Sequence, residues 1–390
     1  MATQVRDAFR GYAALLLLSI CVYALMYAPQ PMFNTLSRDF GVDRATTGLT
    51  LGVYMLSLSM APLCVGLLLG RIGIRWAIVG SVALVALSGP AFLFVETFPQ
   101  FLAVRVLQGL LAPVLLTAVM TSISHFFRHL DMGRAMAGYI TSNLVGSMAG
   151  RLLGGYSAEL FGWRMTLTVT CLLFLIALLA VRAIPDKQHN HRVHRPAEYL
   201  LVLRQKGVLP LVFVEACGIF VFAAIGNLIP FRMAELGQGQ SEGLAGLMYL
   251  GYSVGLIVSL ALGPLTRLFG NTRRLLLCAS GFFMLSMTTM AVPSLWMLFG
   301  GLWLVAAGEF IVHAMCPGLI NRFATQNGQC DRGMVNGLFL SCYYMGGVLG
   351  SFIPALLYSL GGWLACYACM QLVLVAAFLV LVVQRKLYDY

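Results

Sequence analysis

Charge is what this sequence has least of. Only 14 of its 390 residues are Asp or Glu and 25 are Lys or Arg, one residue in ten where a soluble domain carries about a quarter. Hydrophobic residues make up 60% of the chain, and its mean hydropathy is strongly positive. So little polar surface cannot cover a water-soluble fold of this size. The net charge of +11 would suit nucleic acid, but the basic residues do not gather on a polar stretch. They punctuate apolar runs, as membrane topology demands, and no nucleic-acid partner is expected. The sequence also has no nucleophile elbow, zinc-ligand spacing or phosphate-binding loop, so no enzyme, cofactor or metal is expected. An enlarged soluble domain, which a sensor would need, is missing too.

Cysteine adds little chemistry. The ten cysteines lie mostly inside apolar segments, Cys330 sits in a polar loop, and none falls in an expected external loop, so no disulfide is expected. Cys366-x-x-Cys369 lies within an apolar run and reads as packing rather than as a redox pair. His189, His191 and His194 lie among arginines on a polar linker and read as solvated, with no carboxylate or thiol cluster to complete a metal site.

Twelve apolar segments remain, at roughly 11–33, 47–69, 76–97, 100–124, 135–159, 163–184, 208–231, 244–266, 275–294, 296–320, 333–358 and 363–384. Each is close to the roughly 20 residues that a helix needs to cross a hydrocarbon core of about 30 Å. Helices are the expected form, because lipid offers no partner to an open sheet edge. Short connections such as Thr97–Gln100 and Leu360–Gly362 make neighbouring helices antiparallel. Gly11–Phe33 is too long for the apolar part of a cleaved signal and reads as the first membrane helix.

With the N-terminus inside, 19 of the 25 Lys and Arg fall on the cytoplasmic side, four fall outside, and Arg105 and Arg151 lie within helices. Both termini are therefore expected in the cytoplasm, in a bacterial inner membrane. The longest polar interruption, Arg182–Gly207, divides the chain into an N-terminal six-helix bundle (1–184), a cytoplasmic linker (185–207) and a C-terminal six-helix bundle (208–390). The linker's basic residues suit anionic lipid headgroups, and the protein is expected to be a monomer.

The two halves repeat one another. The stretch Ser142–Gly155 places Gly146, Gly150 and Gly154 on one helical face, where a neighbouring helix can approach closely. Two hundred residues on stand Gly346 and Gly350, with Pro354 in place of Gly154; Gly162/Gly362 and Trp163/Trp363 share the offset. The second copy lacks a counterpart to Arg151.

These residues carry a family resemblance. The loop after the second segment, Gly66-LLL-Gly70-Arg71-Ile72-Gly73-Ile74-Arg75, is similar to the G-x-x-x-D-R-x-G-R-R signature of the major facilitator superfamily. The second half echoes it as Gly263-PLT-Arg267-LF-Gly270-NT-Arg273-Arg274. Arg105-VL-Gln108-Gly109 resembles that superfamily's R-x-x-Q-G motif, and the glycine-rich stretch resembles the fifth-helix motif of its proton-coupled drug antiporters. The resemblance implies an all-α membrane fold of twelve helices in two pseudo-symmetric six-helix bundles, and a coupling role for Arg105. Two departures stand out. Gly70 occupies the signature's Asp position, leaving the implied gating relay incomplete, and Arg151 occupies the antiporter motif's Pro.

Two half-bundles related by repeat, with charges buried near mid-membrane, suit alternating access. Tyr23, Tyr27, Gln30 and Asn34 form an expected polar-aromatic stripe on the first helix; Tyr54 with Thr50 and Ser57 does the same on the second, and Asn143, Ser147 and Arg151 on the fifth. These stripes read as lining for a substrate, with interhelical hydrogen bonding as the plainer alternative. Glu309 lies about 20 Å along its helix, and His313 follows one turn later on the same face. Ionising a carboxyl group out of water is costly, so Glu309, His313 and, second, Glu215 are candidates for loading and releasing a proton; a silent structural pair is the alternative. Arg105 and Arg151 present guanidinium forks to a carboxylate or phosphate on a cargo. The expected function is proton-coupled efflux, by antiport, of a small amphipathic organic compound, with an anion as one candidate. The competing transport reading is an importer or uniporter of an organic anion.

Overall fold

The computed structural model describes residues 2–126, 132–181, 196–238, 241–325 and 332–384. The loop histidines, Cys330 and the basic residues at 128, 182–195 and 385–386 lie outside the described residues. Fourteen α-helices carry the fold: α1 (Ala2–Tyr27), α2 (Phe33–Phe40), α3 (Arg44–Ile72), α4 (Ile74–Ser88), α5 (Phe98–Phe126), α6 (Met132–Leu172), α7 (Phe174–Val181), α8 (Pro196–Arg204), α9 (Val208–Met233), α10 (Glu242–Met248), α11 (Val254–Phe269), α12 (Thr272–Ser286), α13 (Leu295–Thr325) and α14 (Arg332–Val383). No strand occurs among the described residues.

Helices α6 and α14, of 41 and 52 residues, are far longer than one crossing requires. Each holds two spans, broken at a glycine in the left-handed region: Gly162 at φ 78° and Gly362 at φ 68°. Side chains resist that backbone geometry, so the sequence repeat at 162 and 362 is also a repeat of backbone conformation. Eight helices among the described residues are long and apolar enough to span a membrane. Two spans each in α6 and α14, together with α3 and the bent stretch Glu242–Phe269, are consistent with twelve apolar segments. This is an all-α, multi-pass membrane protein.

The first span departs from expectation. The apolar run to residue 33 is not one helix: α1 stops at Tyr27, Gln30–Met32 form a 3-10 turn, and α2 starts afresh at Phe33. Pro29 and Pro31 cause the break, since neither can donate an N–H to the preceding turn. Gln30 and Asn34 therefore do not continue the Tyr23–Tyr27 face of a single helix, as their spacing suggests.

The chain packs into two compact units. One comprises Met1–Met32, Leu63–Val193 and Ser241–Leu247; the other comprises Phe33–Pro62, His194–Gln240 and Met248–Tyr390. In the first unit α6 lies directly on α1. A Cβ at Gly146 would collide with the backbone of Ile20, one at Gly150 with that of Ala24, and one at Gly154 would press on Ala28. In the second unit α14 lies on α9 the same way, Gly346 meeting the backbone of Ala216 and Gly350 that of Phe220. Both interfaces advance four residues per contact on each helix, and both are built by backbones in van der Waals range. With no hydrophobic drive between helices in lipid, such close approach supplies the attraction. The core of the second unit continues through buried Leu211, Cys316, Val335 and Leu381, with α8 contributing Tyr199 and Val202.

Gly150→Val and Gly350→Val should each lower the melting temperature of the detergent-solubilised protein by several degrees, in line with an overpacking cost of roughly 1–3 kcal/mol. Gly80→Ala, on α4 where a Cβ would meet nothing within 4 Å, should leave it unchanged. Equal melting temperatures for all three variants would contradict this packing.

Candidate functional site

The buried polar residues of the first unit gather where the first span breaks. The carbonyl of Leu25 faces position 29, where proline offers no N–H. Arg105 of α5 supplies the missing donors: its Nη1 donates to the Leu25 carbonyl (3.1 Å) and its Nη2 to that of Met26 (3.1 Å). Arg105 is fully buried, and its charge also suits the negative end of the α1 dipole. Nη1 donates further to Gln108 Oε1 (2.9 Å), one turn along. The Gln108 amide in turn donates to Ser88 Oγ (3.0 Å) and Cys171 Sγ (3.3 Å). The R-x-x-Q pair thus fastens α1, α4 and α6 to α5.

Arg151 holds the same break from the α6 side. Its Nε donates to Gln30 Oε1 (2.6 Å), its Nη1 to the Ser147 carbonyl (3.1 Å), and its guanidinium lies 3.8 Å from the centre of the Tyr27 ring. Arg151 is 2% exposed, so its charge is met by a hydrogen-bond acceptor and an aromatic face rather than by lipid. Asn143 lies on the same helix and accepts a hydrogen bond from the Ser19 hydroxyl. The structure therefore brings together Tyr27, Gln30 and Arg151, with Arg105 and Gln108 at the neighbouring carbonyls. Tyr23 is half-buried on α1, while Asn34 and Tyr54 pack in the second unit. Gly66 and Gly70 lie in α3, exposed Arg71 ends it, and Gly73 (φ 75°) and half-buried Arg75 open α4. Gly109 is buried on α5.

The second unit has a polar centre of opposite sign. Glu215 of α9 and Glu309 of α13 are 1% and 3% exposed. His313 Nδ1 lies 2.9 Å from Glu215 Oε2. The partner of His313 is thus across the helix pair, not the carboxyl one turn before it in sequence, although Glu309 lies close enough to both groups to feel their charge. Among the described residues, Glu215 Oε1 and Glu309 Oε2 are buried with no hydrogen-bond partner. The sequence reading missed what lets these groups meet. Gly218, one turn beyond Glu215, has no Cβ, and one there would overlap both Glu309 carboxylate oxygens. The signal was available as a glycine three residues from a membrane-embedded glutamate, but nothing in the sequence pairs it with α13.

A third cluster in the second unit gathers around Glu235. Glu235 receives Arg44 (3.3 Å) and Arg232 (3.0 Å), and Arg44 lies 4.3 Å from the centre of the Tyr358 ring. These ion pairs are partly exposed, and each is worth no more than about 1 kcal/mol.

Paired spans packed through glycine, enclosing satisfied arginines in one unit and unsatisfied carboxyls in the other, define a polytopic membrane transport protein. The family model of the Major Facilitator Superfamily matches residues 15–328 and, in a second match, 211–387. The chain belongs to the major facilitator superfamily and is a transporter. It is similar to the inner membrane transport protein YnfM of Escherichia coli, at 27% identity over 94% of this chain and 88% of that protein. It also resembles the quinolone resistance protein NorB of Staphylococcus aureus, at 25% identity over 48% of this chain and 41% of NorB. Among solved structures, the nucleoside transporter NupG shares the fold with a TM-score of 0.75 at 12% identity, covering 96% of this chain and 99% of NupG.

If Arg105 serves the carbonyl that Pro29 leaves without a donor, its loss should be partly repaired by restoring that donor. Arg105→Met should lower thermal stability by about 2 kcal/mol, and adding Pro29→Ala should recover a measurable share. Strictly additive effects in this double-mutant cycle would argue against it.

Proposed function

We propose that this transporter is a proton-coupled exporter, an antiporter that releases a small amphipathic organic compound from the cell by alternating access. The observation that carries the reading is the Glu215–His313–Glu309 cluster. It holds two buried carboxyl groups and one half-buried imidazole, with one oxygen of each carboxyl unpartnered among the described residues. Ionisable groups inside a membrane are expensive and mark ion or proton pathways. A buried carboxyl oxygen without a protein donor is one that a bound proton can satisfy. In this reading Glu309 takes up and releases the coupling proton, while Glu215 holds His313 in place and sets its tautomer.

The likeness to NorB, named for drug resistance, supports export over uptake. The bias of Lys and Arg to one side, together with the likeness to YnfM, supports a bacterial inner-membrane location with both termini cytoplasmic. We assign the two six-helix halves to 1–184 and 208–390, joined by the linker 185–207, in a monomer embedded in lipid. Within the first unit Tyr23, Tyr27 and Asn143 remain proposed lining for the apolar part of the substrate, and within the second unit Asn34 and Tyr54 do. Arg105, Gln30 and Arg151 keep the broken first span in shape beside it.

Everted vesicles carrying a pH-sensitive dye, challenged with acidic, neutral and cationic amphiphiles, would identify compounds whose movement collapses a proton gradient. With one such compound, Glu309→Gln in proteoliposomes should abolish gradient-driven flux yet preserve counterflow exchange, because the proton step is lost and the carrier cycle is not. Unchanged gradient-driven flux in Glu309→Gln would remove Glu309 from the mechanism.

A further inference from the structure

The Glu309 carboxyl occupies a space that α9 leaves clear of any side chain. A Cβ at Gly218 would sit on one Glu309 carboxylate oxygen and lie 2.7 Å from the other. The helices on either side have little room to give way. Ala216 and Phe220 lie about half a turn round α9 from Gly218, and their backbones already meet α14 at Gly346 and Gly350. On α13 the residue before Glu309 is Gly308, where a Cβ would come within 2.7 Å of the Phe283 backbone on α12. The residue after it, Phe310, packs against Gly255 of α11. So α9 has α14 at its back, and α13 is held by α12 and α11.

An atom added at position 218 must therefore move the carboxyl, which ends a flexible side chain, rather than the backbones around it. Where the carboxyl stands decides which charges it feels, since a like and an opposite charge within about 4–6 Å shift a proton equilibrium in opposite senses. On α9 it faces Glu215 and the Cys217 thiol, and on its own helix His313 and the Cys316 thiol. From α12 and α11 come Phe283 and Gly255, which do not titrate. From α14, Tyr343 lies 5.0 Å from the His313 ring, and Tyr252, in the turn before α11, stacks on Phe222. A small displacement of the carboxyl changes its balance between Glu215 and His313.

We infer that Gly218 is a positioning residue: by leaving room for the Glu309 carboxyl against the α9 backbone, it fixes that group relative to Glu215 and His313 and sets the pH at which Glu309 exchanges its proton. The consequence for transport rests on the proton-coupling reading, whereas the seat itself is a matter of packing. Its defining property is complementarity of size. A methyl group gained at 218 is offset by a methylene lost at 309.

The test follows the C=O stretch of the protonated Glu309 carboxyl by infrared difference spectroscopy of the full-length protein in nanodiscs. The band is titrated with pH and identified by its loss in Glu309→Gln. Gly218→Ala should move its midpoint by about one pH unit, tenfold in proton affinity. Combining Gly218→Ala with Glu309→Asp should return the midpoint to within about half a unit of the wild type, the ordinary difference between the two acids. If Gly218→Ala folds poorly, the melting temperature of the double variant decides: recovery supports the seat, and no recovery overturns it. A folded Gly218→Ala with an unmoved midpoint would also overturn it, as would the absence of a Glu309 band at every pH where the protein stays folded. Flux separates the seat from the coupling. An unmoved band beside loss of gradient-driven flux in Glu309→Gln removes the seat and keeps proton coupling. A band that is moved and then restored, beside normal driven flux in Glu309→Gln, keeps the seat and removes the coupling.

Discussion

The structure depends on one constraint: a backbone crossing lipid finds no water to bond its N–H and C=O groups, so every break in a helix must be answered from within the protein. The first span shows the consequence. Pro29 and Pro31 end α1 in mid-run and leave carbonyl oxygens without donors. Arg105 supplies the donor that Pro29 withholds from Leu25 and bonds the Met26 carbonyl beside it, and Gln108 extends the grip to α4 and α6. Arg151, on the face of α6 that lies on α1, ties Gln30 and Tyr27 from the other side. Two buried charges that look unaffordable in the sequence are what make a broken helix tolerable.

The second unit obeys the same constraint in its backbone and departs from it in its side chains. α9 is unbroken through Glu215, Gly218 and Phe222, the Gly226 carbonyl that Pro230 leaves without an N–H accepts from the Tyr249 hydroxyl (2.6 Å), and the unit's buried charges are acidic. Glu215 pairs with His313, and among the described residues one oxygen of each carboxyl has no hydrogen-bond partner. A polar group buried without a partner costs a few kcal/mol, a cost that structural evolution removes with ease. That cost is the physical reason we propose proton exchange here rather than at the arginines.

Much of the architecture could be read from residue order. The twelve apolar runs, the duplication and the glycine faces at 146–150 and 346–350 follow from hydropathy and spacing, which are local properties. The membership of Arg105, Glu215, Glu309 and His313 in buried clusters followed from the cost of charge in lipid. Partnership did not follow. The four-residue spacing of Glu309 and His313 suggested a pair along one helix, whereas the close pair joins α13 to α9. The even stripe from Tyr23 to Asn34 crosses Pro29 and Pro31, which suggested a loosened outer end, whereas α1 stops outright at Tyr27. Gly218 was invisible because its importance lies in what occupies the space it leaves.

The duplicated packing shows how such different centres share one chain. Gly146 and Gly150 on Ile20 and Ala24, and Gly346 and Gly350 on Ala216 and Phe220, are the same interface drawn twice. Its attraction comes from backbone approach, which needs small residues at two positions per copy and is indifferent to the polar residues one turn away. After duplication, one copy could keep a broken helix with arginines to mend it while the other kept an unbroken helix with carboxyls to spare, and neither change disturbed the glycine seam. The repeat therefore marks scaffold, and the places where the halves differ in charge are where chemistry is to be sought.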